Sequence, residues 1–381
     1  VQKHRVFRVP RSYASATHET LRAEILGVLE PIIFDSYRHS SAIREKLEHS
    51  FANQVEQSYA VAVHSGTIGL FLALQACGIG PGDEVITVGN SDISTTGMIR
   101  QCGAIPVLCD VLETDYTINP DLVEGLITDK TRAILPVDLH GHPANVKQLR
   151  SLADQYHLKI IEDAALACGA LDYDKPLGAF ADVCMYSFAP FKPLGSVGNG
   201  AMIVTNDEAI HLRLRSLVGY GYDPRKTNVT VGYQNYVEQG YNVPLDGLQA
   251  AIVLVKLPYL KKWTAQRRAI VNDLYKGLSG ASASLPTFRQ ESAPTFRSYA
   301  IGVDNQFEVY QKLLDAGIET VIHYSPPVYR YTVNSDGMRN SDQLPVTDYL
   351  ATRVVNLPVT PELTPDDTDY MINTLKDILK K

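Results

Sequence analysis

Ser187-Phe188-Ala189-Pro190-Phe191-Lys192-Pro193-Leu194-Gly195-Ser196-Val197-Gly198-Asn199-Gly200 sets a lysine five residues after a serine, then runs into a glycine-punctuated turn. An apolar run, Ala201-Met202-Ile203-Val204-Thr205, follows directly. Lys192 has Phe188, Phe191 and Leu194 around it in the chain. Burial among such neighbours disfavours the ammonium, lowers its pKa and frees the amine to attack a carbonyl. Read alone, the stretch also describes an ordinary loop lysine reaching solvent.

Two upstream segments sharpen the reading. Leu158-Lys159-Ile160-Ile161-Glu162-Asp163 reads as a buried strand ending in two acids. The carboxyl end of a strand in an α/β sheet is where ligands bind. Ala60-Val61-Ala62-Val63-His64 is a second strand, and Ser65-Gly66-Thr67 opens a helix. Small residues at a helix N-terminus leave backbone N–H groups facing an anion. A phosphate cradle, an aspartate and a lysine are the parts a pyridoxal phosphate site needs.

Ser65-Gly66-Thr67, Glu162-Asp163-Ala164-Ala165 and the Ser187 to Gly198 pattern together resemble the DegT/StrS sugar aminotransferases. Pro81-Gly82-Asp83-Glu84-Val85-Ile86, Gly240-Tyr241-Asn242 with Leu245-Asp246, and His323-Tyr324 add to the likeness, which runs from about Ser36 to the C-terminus. The resemblance implies a fold-type I enzyme that uses pyridoxal 5'-phosphate on keto sugars. It implies Lys192 as the catalytic amine and Asp163 as the partner of the pyridine nitrogen. It places the phosphate on Gly66, Thr67 and Ser187, with Asn242 reaching it from the neighbouring subunit of a homodimer. His140, His142, His323 and Tyr324 fall to the substrate side. The chain departs from the family beside the ring. Asp92 stands where the family has a stacking aromatic, and Leu166 where a glutamine reaches the ring hydroxyl. Cys168 and Ala189 replace histidines, and Pro244 replaces an arginine.

Composition narrows the class. A formal net charge of −7 argues against a general nucleic-acid binder. Cys77, Cys102, Cys109, Cys168 and Cys184 lack Cys-x-x-Cys spacing, so no metal is expected and the setting reads as reducing and cytoplasmic. The basic start lacks the apolar core of a signal peptide, and no run approaches a membrane span.

Along the chain, helical spacing covers Thr17 to Leu29 and Ser41 to Phe51. Strands are expected at 84–88, 105–111, 132–137 and 159–162, alternating with helices such as 146–155. This alternation predicts an α/β fold: a large domain with a mostly parallel central sheet, plus a smaller C-terminal α+β domain. Residues 1–255 are read as the N-terminal segment and large domain, and 256–381 as the small domain. Gly219 to Gly240 reads as a long loop rich in tyrosine and asparagine. From Leu245 to Lys276 the pattern is helical, with Pro258 dividing it.

The leading expectation is an aminotransferase that converts a keto sugar, nucleotide-linked or free, to an amino sugar, with glutamate or glutamine as donor. One alternative keeps the cofactor for sugar dehydration, elimination or cyclisation. Another is a non-catalytic binding or regulatory protein on the same fold.

Overall fold

The computed structural model describes residues 6–12, 14–34, 37–226, 235–334 and 336–380. Its centre is a seven-stranded sheet: β1 (Tyr59–Val63), β2 (Glu84–Val88), β3 (Ile105–Cys109), β4 (Thr131–Ile134), β5 (Lys159–Asp163), β6 (Val183–Ser187) and β7 (Ala201–Thr205). The spatial order is β1-β7-β6-β5-β4-β2-β3. Strands β3, β2, β4, β5 and β6 pair in parallel, while β7 runs antiparallel to both β6 and β1. The mostly parallel sheet expected from the alternating pattern is present. Its strands are apolar along nearly their whole length because both faces are covered.

The longer helices around this sheet are, in chain order, α1 (Arg22–Phe34), α2 (Tyr37–Gln54), α3 (Gly66–Ala76), α4 (Ile93–Gln101), α5 (Val146–Tyr156), α6 (Glu208–Val218) and α7 (Gly247–Lys256). The alternation of side chains along each strand sorts them into two cores. Val61 and Val63 face one core, under α3, α5 and α6. Ala60 and Ala62 face the other, under α2 and α7. Strand β4 stops before the expected Val137. Pro136 has no N–H to continue the ladder, although its carbonyl still accepts from Asp163 N at 2.9 Å.

The helix expected over 17–29 is two pieces, Ala14–Thr20 and α1, broken at Leu21. The long helical stretch after Leu245 divides where Pro258 sits. A single 3-10 turn, Leu257–Tyr259, joins α7 to α8 (Leu260–Leu278). Beyond it, β8 (Ala283–Ser284), β9 (Ser298–Val303) and β10 (Val354–Pro358) form an antiparallel sheet. Helices α8, α9 (Gln306–Asp315) and α10 (Pro365–Leu379) contribute Leu274, Leu313, Met371 and Leu375 to its core. Thr364 and Asp367 cap α10 reciprocally.

Two chain segments cross between these cores. Val9 pairs with Ile318 and is buried in the C-terminal core. Tyr329 and Leu344 pack back on Leu108 of β3. In the tyrosine-rich segment, Tyr222 bridges Tyr236 and Gly219 bridges Asn242, and residues 227–234 of the expected loop lie outside the described part.

Candidate active site

Five chain crossings end at one open cavity of about 300 Å³. Ser65, Gly66 and Thr67 follow β1, and Ser91 and Asp92 follow β2. Val137 and Leu139 lie past β4, Asp163 and Leu166 at the end of β5, and Ser187 and Lys192 at the end of β6. Each side chain arrives where a strand's carboxyl end releases the chain, the usual ligand position in such sheets.

Ser65 caps α3, its hydroxyl accepting from Ile68 N at 3.3 Å. The N–H groups of Gly66 and Thr67 donate to no described residue, so the helix N-terminus presents two free donors. A Cβ at Gly66 would stand 3.4 Å from Ser187 Cβ and Oγ, so the helix start and the end of β6 lie in contact.

The loop after β6 explains the placement of Lys192. Phe188 and Leu194 are buried in the core under α2 and α7, anchoring the loop on either side of the lysine. Phe191 does not share in this: it is 52% exposed and lies beneath the Arg11 guanidinium, 4.8 Å from its ring centre. At Gly195 a Cβ would come within 2.6 Å of the Pro190 carbonyl oxygen, so the turn closes only on glycine. Burial, with the Arg297 guanidinium adding to it, pushes the half-buried Lys192 amine down to about 8.

Asp163 is buried, and burial pushes its carboxyl up to about 6 against the Ala165 N–H and the Lys192 charge. Its Oδ1 accepts from Ala165 N at 3.1 Å and its Oδ2 from Thr95 Oγ1 at 3.4 Å. Asp92 is at the cavity edge, yet its Oδ1 caps α4, accepting from Ser94 N at 2.9 Å and Ser94 Oγ at 2.7 Å. Leu166 adds an apolar wall.

The remaining expected residues separate. Tyr324 lines the cavity, and His323 stacks on it with ring centres 4.7 Å apart. His140 and His142 are not brought there. They are buried behind Leu139 in an aromatic cluster with Tyr116 and Phe296. Asn356 Nδ2 donates to His140 Nδ1 at 3.0 Å, and His142 Nδ1 donates to the Asp115 carbonyl at 3.0 Å. Burial lowers both imidazoles, His142 to about 4. Asn242 is exposed and does not line its own chain's cavity. Ser91, Asn199 and Arg297 were not singled out from sequence. For Arg297 the available signal was a lone cation directly ahead of β9, a strand buried along its whole length. Among the described residues no cluster of histidine, cysteine and acidic side chains suits a metal ion.

The parts fit pyridoxal phosphate. Two free amide donors and the Ser187 hydroxyl suit a phosphate, a buried carboxylate suits a ring cation, and a depressed amine suits the aldehyde.

The DegT/DnrJ/EryC1/StrS aminotransferase family matches residues 22–376. The chain is 34% identical to the erythromycin biosynthesis sensory transduction protein EryC1 of Saccharopolyspora erythraea, over 97% of this chain and 99% of that one. It is 36% identical to the dTDP-3-amino-3,4,6-trideoxy-alpha-D-glucose transaminase of Streptomyces venezuelae, over 93% and 92%. The crystal structure of S. venezuelae DesV in complex with a ketimine intermediate superposes with a TM-score of 0.91 at 33% identity, covering 98% and 99%. With its fold-type I sheet and its lysine and aspartate at one cavity, the chain belongs to the DegT/DnrJ/EryC1/StrS aminotransferase family, whose members use pyridoxal phosphate.

Proposed function

We propose that the protein transfers an amine from glutamate or glutamine to a keto sugar, nucleotide-linked as in the name of the S. venezuelae transaminase. The observation that carries this reading is Lys192 and Asp163 in the wall of one cavity, opposite the free amides of Gly66 and Thr67. Bound there, the cofactor supplies an electron sink for the carbon that loses its proton. Gly66 N–H, Thr67 N–H and the Ser187 hydroxyl would hold its phosphate. Asp163 would hold positive charge at the ring nitrogen. Lys192 Nζ would act as base toward the donor's Cα proton in the first half-reaction and as acid toward the sugar carbon in the second, the cofactor carrying the amine between them and the donor leaving as its keto acid. An amine near pKa 8 suits both steps at neutral pH.

Retention of Lys192 favours amine transfer over dehydration, where the resemblance leads one to expect a replaced lysine. Exposed Tyr220, Tyr236, Val237 and Tyr241 around Asn242 support a homodimer in which Asn242 serves the partner's site. Five unpaired cysteines fit a cytoplasmic setting, and no described helix is long and apolar enough to cross a membrane. The test is direct. The cofactor-loaded protein, supplied with glutamate or glutamine and a panel of dTDP- and UDP-linked keto sugars, should release amino sugar detectable by mass. Cofactor binding without amine transfer from any donor would favour the regulatory reading instead.

A further inference from the structure

Behind Lys192 lies a second, smaller space of about 40 Å³, enough for a carboxylate-sized group. Lys192 stands in the wall of both cavities. The smaller one is lined by five cations, Arg11, Lys192, Lys256, Arg267 and Arg297, against a single carboxylate, Glu362. Two of the cations are already engaged. Lys256 Nζ donates to the Gly195 carbonyl, and Arg267 Nη1 to the Val359 carbonyl. Glu362 is the acid that acts on these two, and it accepts from the Thr17 and Thr360 hydroxyls.

Arg297 is left over. It is 7% exposed, and its guanidinium donates no hydrogen bond to a described residue. Nε of the half-buried Arg11 is enclosed and has no acceptor among the described residues. Glu319 is the other acid near Arg297, but its Oε2 accepts from the Arg11 backbone N–H at 2.8 Å. A buried guanidinium without an acceptor is costly, so its retention calls for an anion that arrives from outside. Its position is also enforced. Arg297 N donates to the His140 carbonyl at 2.8 Å and Thr295 N to the Gly141 carbonyl at 3.0 Å. Gly141 lies at φ +91, and a Cβ there would meet Arg297 N at 2.9 Å. The turn that carries His140 and His142 thus serves to clamp Arg297 beside Lys192.

We propose that Arg297, with Arg11, forms a subsite for a substrate carboxylate next to the reactive amine. This rests on the aminotransferase reading, since the carboxylate is either that of the amino-acid donor or that of an acidic sugar.

The test uses sodium glutarate, which carries carboxylates but neither amine nor ketone. Calorimetry and melting of the cofactor-loaded enzyme should show saturable glutarate binding that chloride at equal ionic strength does not reproduce. Arg297→Gln should bind glutarate about ten- to a hundredfold more weakly, with Arg297→Lys and Arg11→Gln in between. A donor carboxylate raises the KM for the amino acid in Arg297→Gln and leaves the keto-sugar KM unchanged; a sugar carboxylate does the reverse. Glutarate binding as tight in Arg297→Gln as in the unaltered protein, or no saturable binding at all, overturns the subsite. Arg297-dependent glutarate binding without any amine transfer would keep the subsite and remove the aminotransferase reading. Normal transfer with unchanged KM values in Arg297→Gln would do the opposite.

Discussion

Ser196 and Gln249 tie the lysine loop to α7: Ser196 Oγ donates to Gln249 Oε1 at 2.8 Å. The same oxygen accepts from Gly198 N at 2.8 Å, and Ser196 Oγ also approaches the Gln249 carbonyl at 3.3 Å. One side chain therefore satisfies two donors of the turn that follows Lys192. Gln249→Leu keeps the size and removes the side-chain acceptor, leaving the Gly198 amide unpaired and the Ser196 hydroxyl only the longer bond to the residue-249 carbonyl. It should cost on the order of 2 kcal/mol in urea unfolding and speed release of the cofactor. Unchanged stability and release would mean that the loop is held by Phe188 and Leu194 alone.

The Lys192 amine should show its depressed pKa in its own chemistry. Capture of pyridoxal phosphate by cofactor-free protein, followed by absorbance, should rise with pH and turn near 8, rather than at the 10 or so of a free lysine. Because Arg297 adds to the depression, Arg297→Gln should move the turning point upward. Borohydride should then fix the cofactor on Lys192, and Lys192→Ala should lose turnover.

Asp163 makes a pH-dependent stability claim whose sign follows from its raised pKa. The folded cofactor-free protein holds a proton up to about 6, whereas the unfolded carboxyl releases it near 3.9. The contribution is thus fully present below about pH 3.9 and lost as pH rises through about 6. Asp163→Asn removes the buried charge. It should be more stable than the unaltered protein by roughly 2–3 kcal/mol at about pH 7, with most of that difference gone at about pH 4. Equal denaturation midpoints at both pH values would contradict this. In the loaded enzyme the same variant should lose turnover roughly a hundredfold or more, as removal of a charge-stabilising group does.

Asn242 acts across the dimer only if damaged sites complement one another. Lys192→Ala and Asn242→Ala homodimers should each be impaired. A mixed dimer holds one site with both Lys192 and Asn242 intact, so mixing should restore about half of normal activity per mixed dimer if sites are independent. No recovery after verified subunit exchange would place Asn242 in its own chain's site or outside any site.

The sequence by itself determined the local pieces of this protein. Buried strands such as Ile160 and Ile161 ahead of Asp163 declare themselves by composition, and Thr364-Pro365 and Asn119-Pro120 start helices by cap chemistry within a few residues. Pro258 divides a helix for a reason internal to its own ring. The lysine, aspartate and phosphate-cradle pattern was legible because each sits at a fixed offset from its strand. What lies between distant segments was decided only by tertiary structure. Nothing local shows that β7 inserts antiparallel between β1 and β6, or that Val9 pairs with Ile318. His140 and His142 carry the same chemistry whether they face a substrate or a core, and only the packing of Tyr116 and Phe296 turns them inward. Arg297 reads as an ordinary cation until the Gly141 turn clamps it beside Lys192. Its meaning depends on burial and on the lack of an acceptor among the described residues, and those are properties of the assembled fold rather than of any window of sequence.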